Sequence, residues 1–242
     1  MKKHGWTSKQ VRSASIPNFG KKYIGEPYFL KLVGEVKNKK ILELGSGNGY
    51  WLELLSRKGA ICTGVEIAEK QISLARNKNT AKKIKYIRGD ITNLEKYNLK
   101  TNNYDVMFLE HVLLEISSIK KLERIFSGAY KLLKKGGILA VADLHPFAPS
   151  SKPVNIRTDK GYNYFLSGKI IKVISKRIDG KETIYRDYHW TLENIVQSIT
   201  KSGLQIIEII EPRPSIKLAK KYSQLTYRLT KPMSIMIKAI KP

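Results

Sequence analysis

Short apolar runs typical of buried strands alternate along this chain with stretches that have the periodicity of amphipathic helices. The pattern predicts a strand over residues 40–44, a helix from its apolar stripe, and a second strand over 61–65. The elements predicted next are a helix over 68–78, strands over 84–88 and 103–109, a helix from Ser117 or Ser118 to Leu133 that Gly136 and Gly137 end, and a strand over 138–142. Strands that alternate with helices in this way predict an α/β fold, with a parallel sheet covered on both faces.

The alternation breaks after the strand over 138–142. Three prolines predict a loop over 144–168, and β-prone runs on both sides of Asp179–Gly180 predict a β-hairpin. A helix capped by Thr191 and two further strands complete the pattern. The chain therefore divides into four parts: residues 1–40 as an N-terminal arm with a leading helix, 41–147 as the core, 148–190 as a hairpin insertion, and 191–242 as a helix and strands that complete the core sheet.

A glycine-rich turn joins the first strand to the first helix. Gly45, Gly47 and Gly49 follow Glu43, which lies inside the strand, and Glu66 ends the second strand. Glycines let the backbone approach a ligand, and the helix N-terminus faces it. An acidic side chain about 20 residues on can take both ribose hydroxyls. The segment therefore predicts a nucleotide-binding βαβ unit, although its G-x-G-x-G spacing differs from the dinucleotide fingerprint G-x-G-x-x-G.

Five stretches in order resemble the motifs of class I S-adenosylmethionine-dependent methyltransferases. They are E-L-G-S-G-N-G, GVEIAEKQISLAR with Glu66, YIRGDITNL with Asp90, YDVMFLEHVLLEI, and LLKKGGILAVADLHP. The resemblance covers residues 40–147 most fully. It implies a Rossmann-like, doubly wound sheet of seven mostly parallel strands, with an antiparallel C-terminal strand pair and an inserted β-hairpin flap. It also implies S-adenosyl-L-methionine as cofactor and S-adenosyl-L-homocysteine as its product.

The same resemblance implies where the cofactor is held. Glu43 would approach its amino group, Glu66 its ribose hydroxyls, and Asp90 its adenine. The full set of expected cofactor-binding residues is Glu43, Gly45, Ser46, Gly47, Glu66, Ile67, Asp90, Ile91 and Glu110. Proteins of this kind often fold an N-terminal arm over the cofactor, so Trp6 or Tyr23 is expected either to form part of a lid or to pack the arm onto the core.

Three histidines follow predicted strands at the side where the acceptor is expected. His111 follows the fourth strand, His145 the fifth, and His189 the hairpin. A neutral imidazole is a suitable base near pH 7, so these are the candidate catalytic residues, in that order, with ordinary structural roles as the alternative. Tyr162, Tyr164, Tyr185 and Tyr188 are candidates for lining an acceptor pocket that the insertion roofs. No metal site is expected.

The charge of the chain bears on its partners. The formal net charge is +25, of which residues 1–40 and 148–242 carry +19. Basic flanks can hold nucleic acid or an anionic surface, but scattered lysines alongside abundant isoleucine and asparagine favour a general composition bias. One cysteine, Cys62, leaves no disulfide framework. Without an apolar run of the roughly 20 residues that a membrane span needs, we expect a cytoplasmic protein.

Three functions compete for the glycine turn. A methyltransferase that acts on a small-molecule acceptor accounts for every motif and for the insertion. An RNA methyltransferase that works by positioning alone is the alternative, and the basic flanks favour it. A nicotinamide-dependent oxidoreductase conflicts with the glycine spacing and leaves Asp90 unexplained. The sequence predicts neither the acceptor atom nor the oligomeric state.

Overall fold

The computed structural model describes residues 20–78, 84–151, 156–158, 162–176 and 182–242. Ten strands lie in these ranges: β1 (Lys40–Leu44), β2 (Ile61–Glu66), β3 (Ile84–Arg88), β4 (Tyr104–Glu110), β5 (Leu133–Leu144), β6 (Ile156–Thr158), β7 (Ile170–Lys176), β8 (Glu182–Tyr188), β9 (Gln205–Ile210) and β10 (Ser234–Ile240). The α-helices are α1 (Glu26–Val33), α2 (Tyr50–Arg57), α3 (Glu69–Lys78), α4 (Ile119–Leu132), α5 (Leu192–Thr200) and α6 (Ile216–Lys221).

Seven strands form the main sheet in the order β3-β2-β1-β4-β5-β10-β9. Strands β1 to β5 are parallel, and β10 runs antiparallel to both β5 and β9. The predicted doubly wound, mostly parallel sheet with an antiparallel C-terminal pair is confirmed. Because the parallel strands end at one edge of the sheet, the side chains that follow them meet there, beside the switch point between β1 and β4.

Two apolar layers cover the sheet. Helices α1 and α2 pack on one face through Phe29 and Trp51, against Phe108 of β4. Helices α4 and α5 pack on the other face, where Phe126 and Ile199 are fully buried. Side chains of a strand alternate between faces, which puts Glu43 on the same face of β1 as Ile41, inside the first layer. A carboxylate buried among apolar side chains does not stabilise the core, so Glu43 is a candidate for ligand binding.

The start of β5 differs from the prediction. The sequence predicted a helix to Leu133 and a strand over 138–142, whereas α4 ends at Leu132 and β5 begins at the next residue. Gly136 has a φ of 72°, and its N–H donates to the Lys241 carbonyl at 2.7 Å. The glycine pair therefore bends the strand so that it bonds the C-terminal segment, instead of ending a helix.

The insertion contains the predicted hairpin, in which β7 pairs with β8 in antiparallel register. Its turn at Asp179–Gly180 lies outside the described residues. The structure adds a third strand that the sequence did not indicate, since β6 pairs with β7. Thr191 caps α5 as predicted, because its side chain accepts a hydrogen bond from the Asn194 N–H at 3.2 Å.

The N-terminal segment contacts the C-terminal segment. The ring of Tyr23 stacks on that of Tyr222 with centroids 4.8 Å apart, and the two hydroxyls are 3.1 Å apart. Trp6, the other aromatic residue considered for a lid, lies outside the described residues. Among the helices of the described ranges, none combines the length and the apolar character that crossing a bilayer requires.

Candidate active site

The carboxylates expected from the sequence lie along the C-terminal edge of the parallel strands. Glu66 is the last residue of β2, Glu110 is the last residue of β4, and Glu43 is one residue from the end of β1. Asp90 follows β3 after one glycine. Neighbouring strands β3, β2, β1 and β4 thus each place one acidic side chain at the same edge.

The glycine turn is built around the Glu66 carboxylate. The Gly47 N–H donates to Oε2 at 2.9 Å, and the Ala68 N–H donates to Oε1 at 2.8 Å. Burial raises the pKa of Glu66, and these N–H donors oppose the rise. Gly47 has a φ of 50°, and no described atom lies within 4 Å of the position that a Cβ would take. The turn therefore leaves open space directly in front of its backbone.

Glu43 and Ser46 carry polar atoms with no hydrogen-bond partner among the described residues. These atoms are Glu43 Oε2 and Ser46 Oγ, on side chains whose residues are 3% and 4% exposed. Burial raises the pKa of Glu43 well above its usual value, and the nearby Glu110 carboxylate adds to the rise. Buried polar atoms without partners are costly. Their position beside the open glycine turn fits a ligand that brings its own donors.

Asp90 has a structural role of its own. Its Oδ1 accepts hydrogen bonds from the Thr92 N–H at 2.9 Å and the Thr92 hydroxyl at 2.8 Å, and so caps the short helical turn Ile91–Lys96. Oδ2 takes part in neither bond. Ile91 is buried beside it, whereas Ile67, which follows Glu66, is 42% exposed. The cap fixes the direction in which the second carboxylate oxygen points.

Glu110 and His111 form an ionic cluster at the end of β4. His111 Nε2 lies 3.4 Å from Glu110 Oε1, and Nδ1 lies 3.6 Å from Asp143 Oδ1. Its backbone is left-handed, with a φ of 55°, which turns the ring between the two acids. The side chain is 48% exposed, and the groups packed around it partly desolvate the ring, which opposes its charged form. Glu110 and Asp143 nevertheless raise the pKa of His111 to about 9. His111 is therefore a cation near neutral pH.

A small, partly open cleft lies between the end of β5 and the insertion. Its lining is mostly apolar and consists of Leu113, Leu114, Asp143, Leu144, His145, Pro146, Pro149, Ile171, Tyr188, His189, Trp190 and Ile195. Asp143 lines this cleft and also belongs to the Glu110–His111–Asp143 cluster. Because Glu110 lies among the carboxylates beside the glycine turn, the cluster connects the cleft to them. An acceptor in the cleft would lie next to that edge.

The partners of the other two histidines define their protonation. His145 Nδ1 accepts from the Phe147 N–H at 3.1 Å, so its proton is on Nε2, which lies 3.0 Å from Glu211 Oε1. His189 Nε2 lies 2.6 Å from the Tyr164 carbonyl and must donate to it, which leaves the lone pair on Nδ1. Burial lowers the pKa of both rings, against the opposing effects of Glu211 and of the Tyr164 carbonyl respectively. Both rings are neutral near pH 7.

Comparison with known proteins identifies the core. Residues 42–141 match the family described as "Methyltransferase domain". A solved structure from Listeria monocytogenes, described as a "putative S-adenosylmethionine dependent methyltransferase", superposes on 90% of this chain and 97% of its own with a TM-score of 0.68 and 25% identity. The chain carries a class I S-adenosylmethionine-dependent methyltransferase domain. The expected family, enzyme class and cofactor are thereby confirmed.

Curated relatives of this methyltransferase domain match only part of the chain. A "Demethylmenaquinone methyltransferase" of Tropheryma whipplei is 27% identical over 48% of this chain and 46% of its own length. A "Ubiquinone biosynthesis O-methyltransferase" of Vibrio atlanticus is 25% identical over 66% of this chain and 62% of its own. The chain thus spans about half the length of the first and less than two thirds of the second.

Asp143 of this methyltransferase domain was not among the site residues that the sequence predicted. This residue is 3% exposed, and its Oδ2 accepts the Leu113 N–H at 2.9 Å while Oδ1 accepts the Leu144 N–H at 2.7 Å. It holds the loop after β4 and also faces His111. The signal that could have found it is an acidic residue directly after the apolar run over 138–142, as Glu110 directly follows the apolar run over 106–109.

The four candidate tyrosines take different positions in the methyltransferase. Tyr188 lines the cleft, and Tyr162 and Tyr164 pack edge-on against His189 with centroids 5.2 and 5.5 Å away. Tyr185 pairs with Val173 in the β7–β8 ladder. Three of the four therefore surround or neighbour the cleft, and two of them fix the His189 ring.

Proposed function

We propose that this enzyme transfers a methyl group from S-adenosylmethionine to a small-molecule acceptor in the cleft under the insertion. The observation that carries the proposal is the adjacency of two sites. Asp143 lines the cleft and also faces His111, which in turn contacts Glu110 at the edge where the carboxylates lie. An acceptor and a donor can therefore be held on the two sides of one short cluster.

The residues around the glycine turn suit the donor. When it is bound, S-adenosylmethionine supplies a methyl group on a positively charged sulfur. Glu43 Oε2 and Ser46 Oγ are buried acceptors without described partners, which suits the donor's amino and hydroxyl groups. Glu66 and the free oxygen of the Asp90 cap suit ribose and adenine. Gly45, Gly47, Ile67, Ile91 and Glu110 complete the set that we propose for donor binding.

The acceptor is proposed to be a small, largely apolar molecule. The cleft has a mostly apolar lining with a few polar groups, as small-molecule sites generally do. Two relatives have names that refer to demethylmenaquinone and to ubiquinone biosynthesis. We therefore propose a quinone precursor or a compound of similar size and polarity as the acceptor class, and the insertion over 148–190 as its cap.

Among the three histidines, the geometry favours His189 as the base, which reverses the order expected from the sequence. His111 carries its proton near neutral pH because Glu110 and Asp143 raise its pKa to about 9 despite partial desolvation, so it suits holding negative charge on the acceptor oxygen. Both ring nitrogens of His145 are engaged. His189 lines the cleft, and its Nδ1 lies 3.4 Å from the Tyr162 hydroxyl. Because that hydroxyl donates to the Pro146 carbonyl at 3.0 Å, Nδ1 keeps a lone pair that can take a proton.

The RNA alternative rests on the basic flanks alone. The relatives with named substrates do not support it, and the cleft is apolar where nucleotide phosphates would need cations. We therefore propose no nucleic-acid partner.

The test combines donor binding with methyl transfer. Calorimetry should give saturable binding of S-adenosylmethionine and none of NAD. Incubation with donor labelled in its methyl group should move label into an extractable phenolic or quinol acceptor, and not into RNA. Label found only in RNA, in a salt-sensitive manner, would replace the small-molecule proposal with the alternative. Absence of donor binding would refute both.

A further inference from the structure

The ammonium of Lys21 lies in a cluster on the donor side of the site that the proposed function does not use. Its Nζ is 3.6 Å from Glu110 Oε2, 4.4 Å from the centroid of the Tyr50 ring and 5.2 Å from that of the Trp51 ring. Distances within about 6 Å of a ring centroid give a favourable cation–π interaction. One carboxylate and two aromatic faces therefore hold a single positive charge.

The protein fixes the groups of this cluster independently of Lys21. Trp51 is 3% exposed and packs against Phe29 with centroids 4.3 Å apart. The Tyr50 hydroxyl donates to Glu26, which holds the ring in place. A rigid pair of aromatic faces beside a carboxylate is the arrangement by which proteins recognise organic cations. The Lys21 side chain, in contrast, is long and reaches the cluster from a separate segment.

The charges of the cluster are balanced for one cation. Burial opposes ionisation of Glu110, but His111 and Lys21 hold its pKa below the usual value, so it is negatively charged near pH 7. The partnerless Glu43 Oε2 lies in the same network, because the charges of both Glu110 and Lys21 act on its pKa. A ligand that brought a second positive charge next to Lys21 would be repelled.

We propose that Lys21 is an exchangeable internal counter-ion: its ammonium occupies the place that the positively charged methionyl end of the donor takes, and the two compete for Glu110 and the rings of Tyr50 and Trp51. The proposal rests on the proposed function, since it assumes that S-adenosylmethionine is the donor. Exchange requires only a rotation of the Lys21 side chain, because Ile24 is 1% exposed and Tyr23 is stacked on Tyr222, which anchors the backbone.

Removing a charged residue from a binding site usually weakens binding, whereas the proposed competition predicts that removing the charge of Lys21 strengthens donor binding. Donor binding to the wild type must first break the contacts of Lys21, whereas Lys21→Met removes them in advance. We expect calorimetry to give a dissociation constant for S-adenosylmethionine about threefold to tenfold lower in Lys21→Met than in the wild type. S-adenosylhomocysteine, which lacks the sulfonium charge, should gain less. Lys21→Arg keeps the charge and should show no gain.

Lys22→Met is the matched control. Lys22 is exposed and lies over the Tyr23 ring at 5.4 Å, so this change removes the same charge without touching the cluster. It should leave the donor affinity unchanged. Circular dichroism and a thermal melt of each variant show that it is folded.

The outcomes separate the exchange from the function on which it rests. Weaker donor binding in Lys21→Met would overturn the exchange, because Lys21 would then be a donor-binding group. An equal gain in Lys22→Met would also overturn it and assign the effect to net charge. If the wild type binds no S-adenosylmethionine, the proposed function itself fails. Tighter binding in Lys21→Met alone supports the exchange.

Discussion

The indole Nε1 of Trp190 donates to the carbonyl of Leu113 at 3.1 Å, and to that of Ile116 at 3.2 Å. Trp190 ends the insertion, and Leu113–Glu115 is the short helical turn that follows the His111 loop. One buried side chain therefore links the proposed acceptor cap to the loop that carries the ionic cluster. The cleft lies directly beside this link, because both Leu113 and Trp190 line it.

Trp190→Phe tests the importance of this link. The change keeps an aromatic ring but leaves the carbonyls of Leu113 and Ile116 without their donor. We expect a loss of about 1–3 kcal/mol in the free energy of unfolding, measured by urea denaturation, because an unsatisfied buried acceptor costs that much. Trp51→Phe is the comparison for ring volume, since Trp51 is also buried, but its Nε1 faces the Glu110 carboxylate and bonds no described backbone carbonyl. Equal losses in both variants would assign the effect to ring volume and not to the hydrogen bonds.

Glu43→Gln should stabilise the fold and weaken donor binding. Burial raises the pKa of Glu43, so above the unfolded value of about 4.3 the unfolded chain loses this proton more readily than the folded protein does. The folded state is therefore destabilised as the pH rises. The isosteric amide removes that cost, and we expect it to stabilise the fold at pH 7 by on the order of 1 kcal/mol.

The same variant should bind S-adenosylmethionine about tenfold to a hundredfold more weakly, because a charge-assisted hydrogen bond is worth on the order of 1.5–3 kcal/mol. A thermal melt and calorimetry on one sample measure both effects. Glu208→Gln, an exposed change on β9, is the control that should alter neither. A destabilised Glu43→Gln with unchanged donor affinity would contradict the role proposed for Glu43.

The parts of the site that the sequence predicted are those encoded within one short stretch. Glu66 lies 19 residues after Gly47 and bonds its N–H, because strand, turn and helix lengths fix that distance locally. The same holds for Thr191, whose cap bond reaches only three residues along the chain.

The parts that the sequence did not predict depend on distant pairings. The contact between Lys21 and Glu110 joins residues 89 positions apart, and that between His111 and Asp143 depends on the register of β4 against β5 and on a left-handed backbone. The length of β5 depends on Lys241, which bonds Gly136 from the far end of the chain. The order that we propose for the histidines differs from the expected one for the same reason, because burial and ion-pair partners that the sequence does not show shift their pKa values.

The pKa of His111 predicts a pH dependence of stability. Glu110 and Asp143 raise this pKa to about 9 although the groups packed around the half-exposed ring partly desolvate it, and Lys21 opposes the rise. A raised folded pKa contributes stability that is complete below the unfolded value of about 6.5 and is lost as the pH rises to about 9. Urea midpoints of the wild type should therefore fall across this window.

His111→Gln should flatten this part of the profile, because no proton is then released there. His145 and His189 titrate below the window, since burial lowers the pKa of both. His145→Gln is therefore the control and should keep the slope between pH 6.5 and 9. If the urea midpoint of His111→Gln falls as steeply with pH as that of the wild type, the charged cluster of Glu110, His111 and Asp143 does not exist in solution.

His189 is the proposed base, and its replacement tests that role. His189→Ala should lower turnover on an acceptor that must lose a proton by about 10²–10⁴-fold, because that is the usual contribution of a positioned base. Donor affinity should be unchanged, since His189 lies on the cleft side of Asp143 and not beside the glycine turn. The rate profile should also lose its acid limb, which lies below pH 6.5 because burial lowers the pKa of His189 although the Tyr164 carbonyl opposes this.

His145→Ala is the matched control, because His145 also lines the cleft but has both ring nitrogens engaged by Phe147 and Glu211. Loss of the acid limb in His145→Ala alone would transfer the role of base to His145. An unchanged limb in both variants would leave methyl transfer to positioning and to the exclusion of water.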